Sequence, residues 1–298
     1  MTEITSEFVW SCIRPRPRDS HKGSFGSVLA LAGSARYRGA ALLAAEGALR
    51  GGAGLGTLAS VEPVLAAAAA RLPECCLLPC ADGAEGGISP DSLPLLRRQK
   101  AAVLLAGPGR GYTAQSAARA AETRTLVREL MDGFPGCGVL DADGLNAAAG
   151  LLAAGSPLPR PAGALVLTPH PGEMARLTGL SAGAVNADRA GIASRFARQG
   201  GAVVVLKGMR TAVAAPDGRC FVNPTGNPGL ARGGSGDALA GILAALLACG
   251  LEAAEAAACA VWLHGAAADR AAARRGEYGM LPQDLFPALG ELFAGNGR

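Results

Sequence analysis

Short apolar runs alternate with longer Ala- and Leu-rich segments along most of the chain. Short uninterrupted apolar runs are typical of strands buried on both faces, whereas the longer segments predict helices. The predicted strands are Ser27–Ala32, Leu55–Ser60, Glu74–Leu78, Ala101–Ala106, Gly138–Leu140, Ala164–Leu167 and Ala202–Leu206. This alternation predicts an α/β fold with a mostly parallel central sheet and helices on both faces.

A late pair of apolar runs predicts a hairpin instead of a further parallel strand. Thr211–Ala215 and Arg219–Val222 are joined by Pro216-Asp217-Gly218, which is a turn sequence. No linker or fixed-period repeat interrupts the pattern, so residues 1–298 are predicted to form a single domain with an irregular lead-in over residues 1–20. The main predicted helices are residues 40–50, 64–71, 113–131, 186–199, 238–251 and 252–274.

Glycine and polar residues collect where the predicted strands end. The carboxyl ends of the strands form the edge of an open α/β sheet where ligands bind. Several such loops on one edge indicate a shared crevice more strongly than any single loop does. The five loops are Gly33, Gly107–Gly111, Asp141–Asn146, Thr168–Glu173 and Lys207–Thr211.

The most informative stretch is Asn227–Gly241, in which five glycines surround one carboxylate, Asp237, ahead of an apolar helical run. Glycine accepts positive φ, and a helix N-terminus presents free N–H groups and about half a positive charge. Together they predict an anion site that suits phosphate. Asp237 would be a general base for a hydroxyl there; the alternative is that it only caps the helix, but a cap alone does not require so many glycines. The predicted phosphate cradle is Gly233, Gly234, Ser235 and Gly236.

Two further side chains at strand ends suit ligand binding. The chain has three lysines among 28 basic residues, and Lys207 follows a buried Val-rich run, where a compact ammonium is useful. A lysine extending to solvent is the alternative. His170 lies between two prolines with Glu173 nearby, which suits ligand positioning, although a turn histidine is the alternative. His21 and His264 lack such a setting and are predicted to be structural.

The sequence leaves the metal chemistry open. Asp141 and Asp143 could bind Mg²⁺ directly or through water, accept hydrogen bonds, or cap the helix that begins near Gly144. The sequence contains neither the P-loop motif nor the dinucleotide-binding fingerprint, so the predicted cradle would bind phosphate through a different glycine-rich motif. The sequence does not identify the ligands of a metal.

Composition narrows the classes of function. Half of the residues are hydrophobic and only 4% are aromatic, which predicts a core of Ala, Leu and Val. The net charge of +4 comes without a basic run, and no apolar run reaches the ~20 residues that span a bilayer. Eight cysteines without paired spacing fit a reducing cytoplasm. We therefore expect a cytoplasmic protein that binds small molecules, and neither nucleic acid nor membrane.

With these segments in place, the chain resembles the ADP/ATP-dependent NAD(P)H-hydrate dehydratase family of the ribokinase-like superfamily. Thr168–Glu173 is the most specific match, whereas the Gly-x-Gly-Asp segment alone would indicate only the superfamily. Leu230, Ala238 and Gly144 replace the more usual Met, Val and Ala, and none of them removes a polar group. The other matches, which extend the resemblance over roughly residues 20–290, are Lys22–Gly26, Gly39–Ala40, Gly51–Gly54, Gly107–Gly111, Asp141–Asn146, Lys207–Thr211 and Asn227–Gly229.

The resemblance implies an ADP- or ATP-dependent dehydration of the S-epimer of NADHX or NADPHX to NAD(P)H. Mg²⁺ is the implied cofactor, and Asp237 is the implied base. No epimerase domain is recognised, so a separate epimerase is expected, and the resemblance suggests a homotetramer. The implied contacts to the hydrated dinucleotide are Ala40, Gly109, His170 and Asp237. The implied nucleotide contacts are Lys207, Gly208, Met209, Arg210, Thr211 and Gly236.

Two other functions use the same residues. A ribokinase-like kinase of a small vitamin-precursor alcohol, of the hydroxymethylpyrimidine or thiazole type, would keep the base and the cradle but release a stable phosphate ester. A nucleotide-binding regulator would bind without turnover. The loops that carry Gly109 and His170 favour the dehydratase over the kinase, since a small alcohol needs fewer of them. The presence of Asp237 in an intact cradle argues against the regulator.

Overall fold

The computed structural model describes residues 1–111 and 116–298. The ten strands found there form one sheet in the order β1-β10-β9-β8-β7-β6-β5-β2-β3-β4. Neighbouring strands are parallel except for the β8–β9 and β9–β10 pairs, so the prediction of a mostly parallel sheet is confirmed. The strands are β1 Thr2–Glu3, β2 Ser27–Leu31, β3 Leu55–Ser60, β4 Cys76–Pro79, β5 Val103–Ala106, β6 Cys137–Leu140, β7 Leu165–Leu167, β8 Val203–Leu206, β9 Ala212–Ala214 and β10 Cys220–Val222.

Helices cover both faces of this sheet. Every residue of β5 and β8 is buried, which requires helices above and below the strands. Within the described residues, no helix has the length and hydropathy that crossing a bilayer requires. The helices are α1 Ser6–Cys12, α2 Arg38–Arg50, α3 Glu62–Ala69, α4 Leu93–Leu96, α5 Ala117–Met131, α6 Asp143–Ala153, α7 Pro171–Thr178, α8 Ala182–Ala187, α9 Arg189–Gly200, α10 Ser235–Ala248, α11 Ala253–Gly279 and α12 Leu285–Gly295.

Most predicted elements are confirmed, with small changes of boundary. The hairpin is formed by β9 and β10, with Ala212 opposite Val222. The single helix predicted over residues 186–199 is two helices, α8 and α9, because Asp188 leaves the helical conformation and caps α9 through Gly191 N–H. The predicted helix start at Thr113 lies outside the described residues.

The prediction of an irregular lead-in over residues 1–20 is wrong for residues 2–12, whereas residues 13–20 form neither helix nor strand. β1 pairs with β10 in parallel, and Thr5 caps α1 by accepting the Phe8 N–H. Val9 of α1 is fully buried, and α1 packs against α11. The segment was missed because seven helical residues and a two-residue strand are too short to show a period.

Helices α2 and α10 contact each other through their backbones. A Cβ on Gly241 would lie 2.2 Å from the Ala44 carbonyl oxygen, and a Cβ on Gly47 would lie 2.6 Å from the Ala238 carbonyl oxygen. Only glycine fits at such distances. The N-terminal ends of both helices, which carry predicted site residues, are therefore held at a fixed separation.

Candidate functional site

A cavity of about 770 Å³ opens at the carboxyl ends of β6, β7 and β8. The loop 207–211 lines it, together with most of residues 223–239 and one side of α11. Of the predicted site residues, the whole nucleotide loop, the phosphate cradle, His170 and Asp237 lie at this cavity. The sheet edge predicted from the positions of the loops therefore carries an open cavity, as a ligand-binding edge would.

Lys207 and Asp141 form a buried ion pair beneath the cavity. The Lys207 Nζ lies 2.7 Å from Asp141 Oδ1, which also accepts a 2.7 Å hydrogen bond from the Thr168 hydroxyl. Burial acts to lower the pKa of Lys207, but the charges of Asp141 and Glu173 outweigh burial and raise it. Lys207 is therefore a fixed cation and does not extend to solvent. Asp141 does not cap α6, whose N-cap residue is Ala142.

Glu173 links Lys207 to His170. Its buried carboxylate accepts the His170 backbone N–H at 2.8 Å and lies 3.8 Å from Lys207 Nζ. Burial raises the pKa of Glu173 to about 7, against the opposing effect of Lys207. His170 is the N-cap of α7, where its Nδ1 accepts the Gly172 N–H. It is thus a capping residue that also lines the cavity, so the two interpretations of His170 are compatible.

Asp237 lies in the first turn of α10, at the cavity. The N-cap of α10 is Gly234, with a φ of 98°, and it makes no side-chain capping bond, so the alternative of a capping role for Asp237 is wrong. Burial first, and then the charge of Asp141, raise the pKa of Asp237 to about 7. A carboxylate poised near neutral pH at a helix N-terminus suits proton abstraction.

The loop 207–211 turns sharply around two residues with positive φ, Gly208 at 142° and Arg210 at 52°. The Thr211 hydroxyl donates to the Gly208 carbonyl oxygen at 2.9 Å and so closes the loop. Arg210 pairs with Glu3 of β1 at 3.0 Å, and the Met209 side chain is 89% exposed. The N-terminal strand thus supports one wall of the cavity.

Ala40 and Gly109 lie together at a separate place on the same sheet edge and do not line this cavity. A Cβ on Gly109, whose φ is 64°, would lie 2.7 Å from the Ala40 Cβ. The Gly33 N–H donates to the Pro108 carbonyl oxygen at 2.7 Å and joins the loops after β2 and β5. The order of the strands changes direction between β2 and β5, since β3 and β4 lie on one side of this pair and β6, β7 and β8 on the other. Such a switch point forms a crevice.

Several cavity residues carry no recognisable signal in the sequence. Asn223 donates to the Val261 carbonyl oxygen at 3.1 Å, and Thr225 donates to the Trp262 carbonyl oxygen at 2.9 Å. His264 of α11 contacts the Ser235 carbonyl oxygen at 2.9 Å and lines the cavity. Polar side chains on an Ala-rich helix and after a hairpin have no periodicity that would identify them.

The described residues fit a Mg²⁺ ion that arrives with a nucleotide. Both side-chain hydrogen bonds of Asp141 are made by Oδ1. The other oxygen, Oδ2, faces the start of α10, since a Cβ added to Gly236 would lie 3.9 Å from it. Across residues 1–111 and 116–298, no group of three or more His, Cys, Asp or Glu could hold a metal. Mg²⁺ usually binds one or two carboxylates together with substrate phosphates and waters, and Oδ2 of Asp141 could serve as one such carboxylate.

The chain is similar in sequence to known NAD(P)H-hydrate repair enzymes. A bifunctional NAD(P)H-hydrate repair enzyme from Moorella thermoacetica is 43% identical over 96% of this chain, which spans 52% of that relative. The chain therefore spans about half the length of the first curated relatives it matches. The ADP-dependent (S)-NAD(P)H-hydrate dehydratase from Bacillus subtilis is 37% identical over 89% of this chain and 88% of its own.

The crystal structure of the Bacillus subtilis ADP/ATP-dependent NAD(P)H-hydrate dehydratase, co-crystallized with ATP and Mg²⁺, matches this structure with a TM-score of 0.85. The two chains are 32% identical, and the match covers 99% of this chain and 98% of the other. The fold is ribokinase-like, as predicted. The family model described as NAD(P)H-hydrate dehydratase matches residues 28–290. The chain belongs to the NAD(P)H-hydrate dehydratase family.

Proposed function

We propose that this protein dehydrates the S-epimer of NADHX or NADPHX to NAD(P)H, with ADP or ATP as the phosphoryl donor. The observation that carries the proposal is Asp237, a carboxylate with a raised pKa at the mouth of a glycine cradle. The activities named for the Moorella and Bacillus relatives support the choice of substrate. The (S) in the Bacillus name supports the choice of epimer.

Asp237 takes the proton from the C6 hydroxyl of the hydrated nicotinamide ring. The oxygen then attacks the terminal phosphoryl of the donor, and AMP or ADP leaves as its bond to that phosphorus breaks. Phosphate is a far better leaving group than hydroxide. The ring nitrogen expels it, and loss of a proton from C5 restores the ring double bond.

The cradle and Lys207 stabilise the charge that develops during this transfer. Gly236 and Asp237 lie in the first turn of α10 and line the cavity, and their N–H groups precede the first helical bond, so they can bind phosphoryl oxygens. A Cβ added to Gly236 would lie 3.3 Å from Lys207 Nζ, so the Lys207 ammonium places a positive charge next to the cradle. Asp141 would help to hold a Mg²⁺ ion that binds with the nucleotide, and that ion would supply further charge neutralisation.

The proposal extends to Ala40, Gly109 and His170 as contacts of the hydrated dinucleotide, and to residues 207–211 as contacts of the nucleotide. Because the reaction consumes only the S-epimer, an epimerase must convert the other epimer. We also propose that the chain forms a single domain and that it works as a homotetramer in the cytoplasm.

The direct test mixes the purified protein with hydrated NADH, Mg²⁺ and either ADP or ATP, and follows the return of the dihydronicotinamide absorbance. Recovery that requires one nucleotide would establish the dehydratase and identify the donor. No recovery with either nucleotide, from a protein that binds both, would overturn the proposal and favour the small-alcohol kinase. Phosphorylation of a hydroxymethylpyrimidine would then be measured.

The matched variant is Asp237→Asn. Loss of a general base should lower kcat by about 10²–10⁴-fold, while the cradle, the loop 207–211 and hence ADP affinity are retained. Turnover and calorimetric ADP binding would be measured on the same preparation. A variant that turns over at nearly the wild-type rate would remove the general-base role from Asp237.

A further inference from the structure

His264 projects from the middle of α11 onto the cradle. Its Nε2 lies 2.9 Å from the carbonyl oxygen of Ser235, the first residue of α10. The His264 side chain is 7% exposed and Ser235 is 6% exposed, so the bond is shielded from water. Both residues line the cavity.

The chemistry of the two partners determines the direction of this bond. A carbonyl oxygen can only accept, so the His264 Nε2 carries the hydrogen and donates it. Burial lowers the pKa of His264 to about 4, and the ring is therefore neutral at physiological pH. A neutral donor adds no charge to the cavity, in contrast to Lys207.

The peptide plane carries the effect of this bond to the ligand. The Ser235 carbonyl and the Gly236 N–H belong to one planar trans peptide, in which they point in opposite directions. A donor that fixes the carbonyl also fixes the N–H, and it polarises the peptide so that the N–H donates more strongly. The Gly236 N–H has no backbone partner among the described residues, because the first helical bond of this turn runs from the Ala238 N–H to the Gly234 carbonyl oxygen.

We propose that His264 is a positioning residue for nucleotide binding and phosphoryl transfer, acting through the Ser235–Gly236 peptide. Its ligand is the phosphate group of the donor nucleotide, so the inference rests on the proposed function and assigns a role within it. Asn223 and Thr225 bind the carbonyl groups of Val261 and Trp262 on the same turn of α11. That turn therefore orders both the cradle and the loop that follows β10.

The experiment compares His264→Leu with His264→Gln. Leucine cannot donate and leaves the Ser235 carbonyl with a buried, unsatisfied lone pair, so we expect the Kd for ADP to rise by about tenfold or more. Glutamine places an amide N–H about as far from the backbone as Nε2 and should restore most of the affinity. For turnover, His264→Leu should raise the KM for ADP and lower kcat, while the KM for the hydrated dinucleotide stays within twofold.

Leu263→Ala is the control for general damage to α11. Leu263 is fully buried on the same turn and does not line the cavity, so this variant should lower the Tm without changing the Kd for ADP. Unchanged ADP affinity in His264→Leu, or equal losses in His264→Leu and Leu263→Ala, would overturn the inference. A wild-type protein that binds ADP but does not dehydrate NADHX would overturn the proposed function alone, because the binding comparison still decides the role of His264.

Discussion

The site contains two carboxyl groups, Asp237 and Glu173, whose pKa values are both raised to about 7. Burial is the main cause in both cases, and Lys207 opposes it in both. Their surroundings nevertheless differ. Glu173 accepts the His170 N–H and takes part in capping α7, whereas Asp237 makes no described side-chain hydrogen bond and faces the cavity. The group available for proton transfer is therefore Asp237.

The pH dependence of turnover should follow from this assignment. A general base works when ionised, so we expect kcat/KM for the hydrated dinucleotide to fall about tenfold per pH unit below pH 7 and to level off above it. In Glu173→Gln the inflection should persist and move to lower pH, because a negative charge near Asp237 is removed. An inflection that disappears in Glu173→Gln would assign the titration to Glu173 instead. The measurement is a rate profile of both proteins over the same buffers.

Two buried arginines offer a matched pair for testing stability. Arg110 is fully buried, and its three guanidinium nitrogens have no hydrogen-bond partner among the described residues. Burial, together with the charge of Arg119, lowers the pKa of Arg110 to about 9, which leaves it charged at neutral pH. Arg119 is equally buried, but it donates to the Arg110 and Ile88 carbonyl oxygens and pairs with Glu122.

We expect Arg110→Leu to raise the free energy of unfolding by about 1–4 kcal/mol, because a buried guanidinium without a hydrogen-bond partner among the described residues is replaced by an apolar group. Arg119→Leu should lower it by about 2 kcal/mol or more, since carbonyl groups lose their donor. Urea unfolding of the two variants and the wild type measures both effects. A loss of stability in Arg110→Leu as large as that in Arg119→Leu would contradict this prediction, which rests on the lack of hydrogen-bond partners for Arg110 among the described residues.

At the scale of elements, the N-terminal segment is a packed part of the fold. Trp10 of α1 meets Trp262 of α11 and Phe293 of α12 edge-on, with ring centroids 6.1 Å apart in both pairs. The Arg298 guanidinium donates to the carbonyl oxygens of Ile13 and Trp10 at 2.6 and 2.9 Å. Residues near both ends of the described chain therefore stabilise one corner of the molecule.

Val9→Ala tests this packing. The change removes two fully buried methyl groups, and we expect a loss of about 1–3 kcal/mol in the free energy of unfolding. Ser11→Ala, at an exposed position of the same helix, should change it by less than about 0.5 kcal/mol. Equal, negligible effects in thermal or urea unfolding would mean that α1 does not pack on α11 in solution.

At the scale of the whole molecule, the sequence predicts the architecture well because buried parallel strands have a distinctive composition. Continuous runs such as Val203–Leu206 identified the central strands, and the loops after them identified the ligand edge. Asp237 and Lys207 could be located because each follows a clear signal, a glycine-rich loop or a β-branched run. These features are local in the sequence, so a single sequence is enough to find them.

The features that were missed depend on contacts between distant parts of the chain. β1 exists only because the edge of β10, more than 200 residues away in sequence, pairs with it. His264 is indistinguishable from a core histidine until α11 is placed against the start of α10. The separation of the Ala40–Gly109 crevice from the main cavity likewise depends on strand order, which local periodicity does not encode.

The glycine contact between α2 and α10 also bears on how the sequence can change over time. Gly47 and Gly241 let two backbones touch, so the spacing between the Ala40 end of α2 and the Asp237 end of α10 is set by main-chain atoms. The volumes of core side chains do not set it. We therefore expect that changes in the size of the surrounding Ala, Leu and Val residues move Ala40 and Asp237 little relative to each other. A side chain at Gly47 or Gly241 would instead push the two helices apart.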